Sequence, residues 1–271
     1  KTEDTVKAQV GKTTTKDEPL YDLTAIEIQN DEAVDNGYVS YSLAKGQTLP
    51  AGLVIYDGKV YGTPKTASAE AQTVKFTVRG QNQTVAEFTL IISSVEKGIP
   101  SFTAGKAGDA YAGKTLADVE LPTSAAGKYM WADGTQQVGK AGTSETYDAY
   151  FVPDDTANYD WSKIDAAEGT YEELEDGSVR IAVKLSVYVR KQDPVFTVPE
   201  NVTATYGDTV GKILLPETAG GMFIWENADE SVGEVGTKTF LATFVPEDED
   251  VYERAEHVEI TVQILPANAV F

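Results

Sequence analysis

Apolar and polar residues alternate with a period of two along the best-patterned stretches of the chain. In His257-Val258-Glu259-Ile260-Thr261-Val262-Gln263-Ile264, the apolar Val258, Ile260, Val262 and Ile264 share one face of a strand and the polar residues take the other. Val179, Ile181, Val183, Leu185, Val187 and Val189 show the same pattern. Phe240, Ala242 and Phe244 form a further set ending at Pro246, which cannot donate to a sheet ladder. Nearer the start, Phe76 and Val78, then Phe88, Leu90 and Ile92, alternate as two strands, with Gly80-Gln81-Asn82-Gln83 as the turn between them. Gly and Pro punctuate these runs at short spacing, and no segment carries the caps and 3.6-residue period of an amphipathic helix. The expected class is all-β.

An internal repeat sets the organisation. Tyr111, Leu121-Pro122, Gly127, Tyr129, Trp131, Val138-Gly139, Gly142-Thr143, Phe151-Val152-Pro153, Asp155 and Tyr159 recur as Tyr206, Leu215-Pro216, Gly221, Phe223, Trp225, Val232-Gly233, Gly236-Thr237, Phe244-Val245-Pro246, Asp248 and Tyr252. The spacing predicts three tandem β-sandwich domains, at about 1–95, 96–191 and 192–271, joined near Val95-Glu96-Lys97-Gly98 and Arg190-Lys191-Gln192-Asp193-Pro194. Short joints holding Pro favour a semi-rigid rod. The first copy carries an insertion of about 16 residues, Trp161 to Asp176, between Tyr159 and its last strand. Such a segment must protrude or pair separately.

The first domain follows another pattern, with Leu49-Pro50-Ala51-Gly52-Leu53 and then Val60-Tyr61-Gly62-Thr63-Pro64. From about Tyr38 to Ser93 it resembles the Putative Ig domain family of bacterial surface proteins, whose motifs are LPAGL and GTP. The repeated unit resembles modules strung along cell-surface proteins of gut Gram-positive bacteria, through its Tyr-Gly-Asp, Leu-Pro, Trp, Gly-Thr and Pro-x-Asp elements. The resemblance implies an extracellular Ig-like sandwich with no activity of its own.

Charge and composition narrow the partners. Lys and Arg number 22 against 43 Asp and Glu, a formal net charge of −21, which repels phosphate backbones and anionic headgroups. Nucleic acid is therefore an unexpected partner. No apolar run approaches the roughly 20 residues of a membrane span, so no direct membrane insertion is expected. Cysteine is absent and His257 is the single histidine, which removes disulfides, thiolate chemistry and most metal sites built on Cys or His. The chain starts at Lys1 without methionine, as in a processed secreted protein or, the preferred reading, a segment of a longer one.

Several motifs have plain structural explanations. Gly108-Asp109-Ala110-Tyr111-Ala112-Gly113-Lys114-Thr115 satisfies the P-loop expression, but lacks the preceding apolar strand and following helix that aim N–H groups at phosphate. Leu215-Pro216-Glu217-Thr218-Ala219-Gly220 approaches the LPxTG sorting signal and reads instead as a strand end. Trp131 and Trp225 fit the core. Acidic runs such as Asp154-Asp155, Glu172-Glu173-Glu175-Asp176 and Glu247-Asp248-Glu249-Asp250 suit Ca²⁺ by oxygen chemistry but lack EF-hand spacing, and read as solvated charge. His257 reads as an edge residue. The closing strands hold no asparagine for a Lys–Asn crosslink.

No catalytic, cofactor or metal residues are expected, and the reading is a non-catalytic, monomeric stalk or spacer of an extracellular, cell-surface protein. The alternative is an adhesion module that binds a glycan or a host or neighbouring surface protein through the insertion. Its candidate residues are Tyr159, Trp161 and Tyr171, because Trp161 has Arg254 as its counterpart in the second copy. Trp161 as a plug beneath the insertion is the bland explanation.

Overall fold

The computed structural model describes residues 2–27, 39–80 and 83–267. Of the expected turn Gly80-Gln81-Asn82-Gln83, Gln81 and Asn82 lie outside the described residues. Strands hold 47% of the chain and no α-helix occurs among the described residues, which settles the all-β class. No helix among those residues is long and apolar enough to cross a membrane.

The N-terminal part comprises β1 (Glu3–Gln9), β2 (Tyr21–Asp22), β3 (Val39–Leu43), β4 (Leu53–Tyr56), β5 (Lys59–Gly62), β6 (Gln72–Gly80) and β7 (Gln83–Glu96). They form a sheet in the order β1-β7-β6-β3 and a smaller one in the order β2-β5-β4. Register pairs Phe76 with Phe88 and Val74 with Leu90, so the alternation seen in the sequence delivers these side chains to one face. There they meet Leu53 and Val60 of the small sheet, with Leu23 fully buried between them. Asp57 and Gly58, at φ 53° and 76°, close the β4–β5 hairpin with the left-handed backbone that suits the strands' twist. This is the sandwich that two alternating apolar faces require.

The first repeat copy supplies β8 (Ala110–Tyr111), β9 (Gly127–Trp131), β10 (Ser144–Pro153), β11 (Thr170–Glu173) and β12 (Val179–Arg190), ordered β11-β12-β10-β9 with β8 parallel to β12. The insertion pairs rather than protrudes, since β11 adds an antiparallel edge strand with Thr170 opposite Ala182 and Glu173 opposite Val179. The second copy supplies β13 (Val202–Thr205), β14 (Gly221–Trp225), β15 (Gly236–Pro246) and β16 (Ala255–Leu265), ordered β13-β16-β15-β14.

On this last sheet Phe240, Ala242, Phe244, Ile260, Val262 and Ile264 are buried on one face. The covering layer is the 3₁₀ turn Val210–Lys212 with Ile213, and irregular segments carrying Phe196 and Leu215. Trp225 joins the layers by donating its indole N–H to Ile213 O at 3.2 Å, and Trp131 points the same way at Val119 O, 3.5 Å off. Leu215-Pro216-Glu217-Thr218 therefore lies in this irregular layer and not at a strand end. The P-loop match covers β8 and ends at Thr115, which is followed only by the three-residue 3₁₀ turn Leu116–Asp118. His257 is set inside β16 at φ 59°, where Glu226 accepts from its backbone N–H at 2.6 Å.

The chain divides into two compact units. One comprises Lys1–Ala104, Ser124–Tyr129 and Tyr150–Val183, and the other Gly105–Thr123, Met130–Ala149 and Lys184–Phe271. The first repeat copy contributes to both.

Candidate functional site

Tyr159, Trp161 and Tyr171 do not form one open aromatic face. Trp161 is 4% exposed, its ring lies 5.5 Å from Phe151 and 5.9 Å from Phe102, and its indole N–H donates to Asp155 O at 2.9 Å. This corrects the expectation that Trp161 stacks on a ligand, because the ring's faces and its polar atom are all spent inside the protein. Asp160 puts it there, accepting from Ser162 N at 3.1 Å and Ser162 Oγ at 2.6 Å to start the 3₁₀ turn Trp161–Lys163. Tyr171 is half-buried on β11, its hydroxyl 3.3 Å from Glu173 Oε2 and pushed up by desolvation and the Glu173 charge.

Tyr159 leads to a different site. It packs against the core of the N-terminal sandwich, carried there by the loop that follows β10. Gly98, two residues past β7, donates its N–H to Asn158 O at 2.9 Å, and its own carbonyl accepts from Asp160 N at 2.9 Å. Both backbone groups of one linker residue are thus held by residues flanking Tyr159. The contact is extended by Asn158 Oδ1, which accepts from Ala67 N at 2.9 Å, and by Lys97 Nζ, which donates to Thr156 O at 2.7 Å. Asp155 shapes the loop by accepting from Asn158 N and Asn158 Nδ2, each at 2.9 Å. All of this lies within the first unit.

The second unit repeats the arrangement at the exit of β12. Gln192 donates its N–H to Val251 O at 2.8 Å, and its carbonyl accepts from Glu253 N at 2.8 Å, the two partners flanking Tyr252. Asp248 stands where Asp155 does, accepting from Val251 N at 3.2 Å. Gln192 Nε2 also donates to Ala112 O at 2.7 Å, and Arg254 closes the loop on Glu249 through two bonds of 2.8 and 3.0 Å. The Pro-x-Asp…Tyr element is therefore a clamp, a capped loop that pairs with the linker before it through main-chain bonds. Sequence reading took it only as a repeat signature. The signal was its constant spacing in both copies while the strand after it moved by the length of the insertion.

The Asn158 amide donors hold the Asp155 carboxyl below its ordinary value of 3.8, with the Lys97 charge adding to the effect. A depressed folded value means that the cap's contribution is complete above about pH 4 and is lost as pH falls through the lower, folded value. The Asn158 side-chain amide, followed by NMR, is expected to titrate with a midpoint below 3.8; a midpoint at or above it removes Asp155 from the clamp. Among the described residues no group of three His, Asp or Glu side chains is placed to hold a metal ion.

Residues 4–93 match the family model described as Putative Ig domain. The match takes in both sheets of the N-terminal sandwich. No curated protein matches the sequence. Solved structures that overlay on the chain include zebrafish RET cadherin-like domains 1 to 4, at 10% identity and TM-score 0.24, covering 98% of this chain and 75% of that one. Sidekick-1 immunoglobulin domains 1–4 give 9% identity and TM-score 0.20, covering 97% and 74%. An endo-fucoidan hydrolase from glycoside hydrolase family 107 gives 12% and 0.19, covering 84% of this chain and 39% of the hydrolase. The chain thus spans well under half of that enzyme, and overlays at these scores carry no argument about role.

Proposed function

We propose that the chain is a non-catalytic spacer segment of an extracellular, cell-surface protein of bacterial type, composed of three tandem Ig-like modules at about 1–95, 96–191 and 192–271. The observation that carries this reading is the repeated clamp. A flexible linker leaves its backbone groups to water, whereas here the same linker position is bonded through both N–H and C=O at two successive joints. Residues spent on stiffening joints suit a part whose work is to hold other modules at a distance. The acidic surface, at a net charge of −21, keeps neighbouring copies apart.

Trypsin tests the joints, because Lys97, Arg190 and Lys191 are its cleavage points in the two linkers. The intact chain is expected to resist cleavage there. Asp155→Ala speeds cleavage after Lys97, and Asp248→Ala speeds it after Arg190 and Lys191, each by about tenfold, the factor for roughly 1.4 kcal/mol of lost loop order. Equal cleavage in all three proteins would overturn the stiff-joint reading. A saturable glycan or protein ligand lost on Tyr171→Ala would assign the insertion a binding role instead.

A further inference from the structure

We propose that the exit of β16, at Leu265–Ala267, is an open acceptor for the clamp loop of another module of this chain's repeat type. The inference rests on clamp geometry and does not require the spacer role. Three strand exits can be superposed by their hydrogen bonds. In the three larger sheets the first strand runs parallel to the last, pairing Ala8 with Val95, Ala110 with Val189, and Ala204 with Ile264. One residue past these strands the same bond recurs, from Val10 N to Glu96 O at 3.0 Å, Ala112 N to Arg190 O at 2.8 Å, and Tyr206 N to Leu265 O at 2.8 Å. A glycine with positive φ follows each time, Gly11, Gly113 and Gly207. Counting two residues on from Glu96, Arg190 and Leu265 gives Gly98, Gln192 and Ala267 as equivalent positions.

Among the described residues, two of the three exits are occupied and the third is bare. Val10 and Ala112, at the clamped exits, are 4% and 3% exposed, whereas Tyr206 is 49% exposed. Gly98 is buried and Gln192 half-buried, whereas Ala267 is exposed. The third exit therefore has the shape of the other two without their cover. Its fitting occupant is a loop with the spacing of Asp155-x-x-Asn158-Tyr159-Asp160 or Asp248-x-x-Val251-Tyr252-Glu253. The carbonyl before the tyrosine would accept from Ala267 N–H, the N–H after it would donate to Ala267 C=O, and the tyrosine would lie towards Tyr206. Because the bonds are main-chain ones, Gly98 and Gln192 both make them, and Ala267 carries the same N–H donor and C=O acceptor.

The test extends the full chain. Joining residues 197–267 after Phe271 preserves the seven-residue distance that separates Arg190 from Thr197. Amide exchange at Ala267, read by NMR, is expected to slow by about tenfold or more in the extended protein, as fits an amide drawn into a local fold. Asp248→Ala in the appended copy alone should restore the original rate, while Gln192 keeps its protection in every protein. A second extension using residues 103–190 supplies the other clamp. An appended copy that folds yet leaves Ala267 exchange unchanged overturns the proposal, and so does the failure of both copies to fold at that exit.

Discussion

Chains carrying Trp161→Ala lose about 3 to 5 kcal/mol of stability in the part of the protein built around Phe151, the usual cost of truncating a buried aromatic. Against the roughly 5 to 15 kcal/mol that holds a domain together, this is a large share. The reason is local. Phe102, Phe151 and Trp161 touch in one cluster, with Tyr129 4.9 Å from Phe151, so the indole fills a close-packed aromatic space whose loss leaves a cavity. Its N–H also holds Asp155 O, so the clamp loop loosens with it. Calorimetry should show the transition of the unit that holds Trp161 move while that of the other unit stays in place. Tyr171→Ala and Arg254→Ala serve as controls. The first residue is half-buried at an edge strand and the second makes an exposed ion pair, so each should cost less than about 1 kcal/mol. A loss below 1 kcal/mol for Trp161→Ala would return the indole to the surface and reopen the ligand-stacking reading.

The contrast between Trp161 and Arg254 shows what the sequence could reveal. Alternation in β12 and β16 placed the core residues directly, because a period of two leaves each side chain one choice of face. The repeat likewise announced equivalent strands, although register corrects one pairing: Tyr206 stands with Ala112, not Tyr111, since their N–H groups bond equivalent carbonyls. The arginine at the matching position of the second copy, Arg254, suggested that Trp161 was free for binding. The other reading, a plug beneath the insertion, is the one the structure bears out: β11 adds an edge strand to the sheet, and Trp161 is buried where the insertion begins. The clamps were hidden for a different reason. Their acceptors are Gly98 and Gln192, unlike in side chain and alike only in backbone position, and main-chain bonds leave no residue-type signature on the accepting side. Only the capping aspartates left a trace.

Gly52→Ala is the second large effect, expected to cost about 3 kcal/mol or more in the N-terminal sandwich, and it explains why LPAGL and GTP belong together. Gly52 has φ +92°, a backbone that strains any residue with a Cβ by about 1 to 2 kcal/mol. Strain alone is not the whole cost. A Cβ on Gly52 would drive into the Thr63 carbonyl, and one on Gly62, at φ +131°, into the Gly52 carbonyl. The two glycines thus face each other where the motifs cross, at the spot where Thr63 N donates to Gly52 O at 3.0 Å and Lys65 N to Ala51 O at 3.0 Å. Gly46→Ala separates the contributions, since Gly46 has a similar φ of +81° but open space around it. It should cost only the conformational part, about 1 kcal/mol. Urea unfolding of the three single variants should therefore rank Gly52 and Gly62 well above Gly46. In the Gly52→Ala, Gly62→Ala double variant the loss should fall short of the sum, because the crossing opened by the first alanine already relieves the second. Equal costs at Gly46 and Gly52 would mean that backbone conformation, and not the contact between the two motifs, is what the glycines provide.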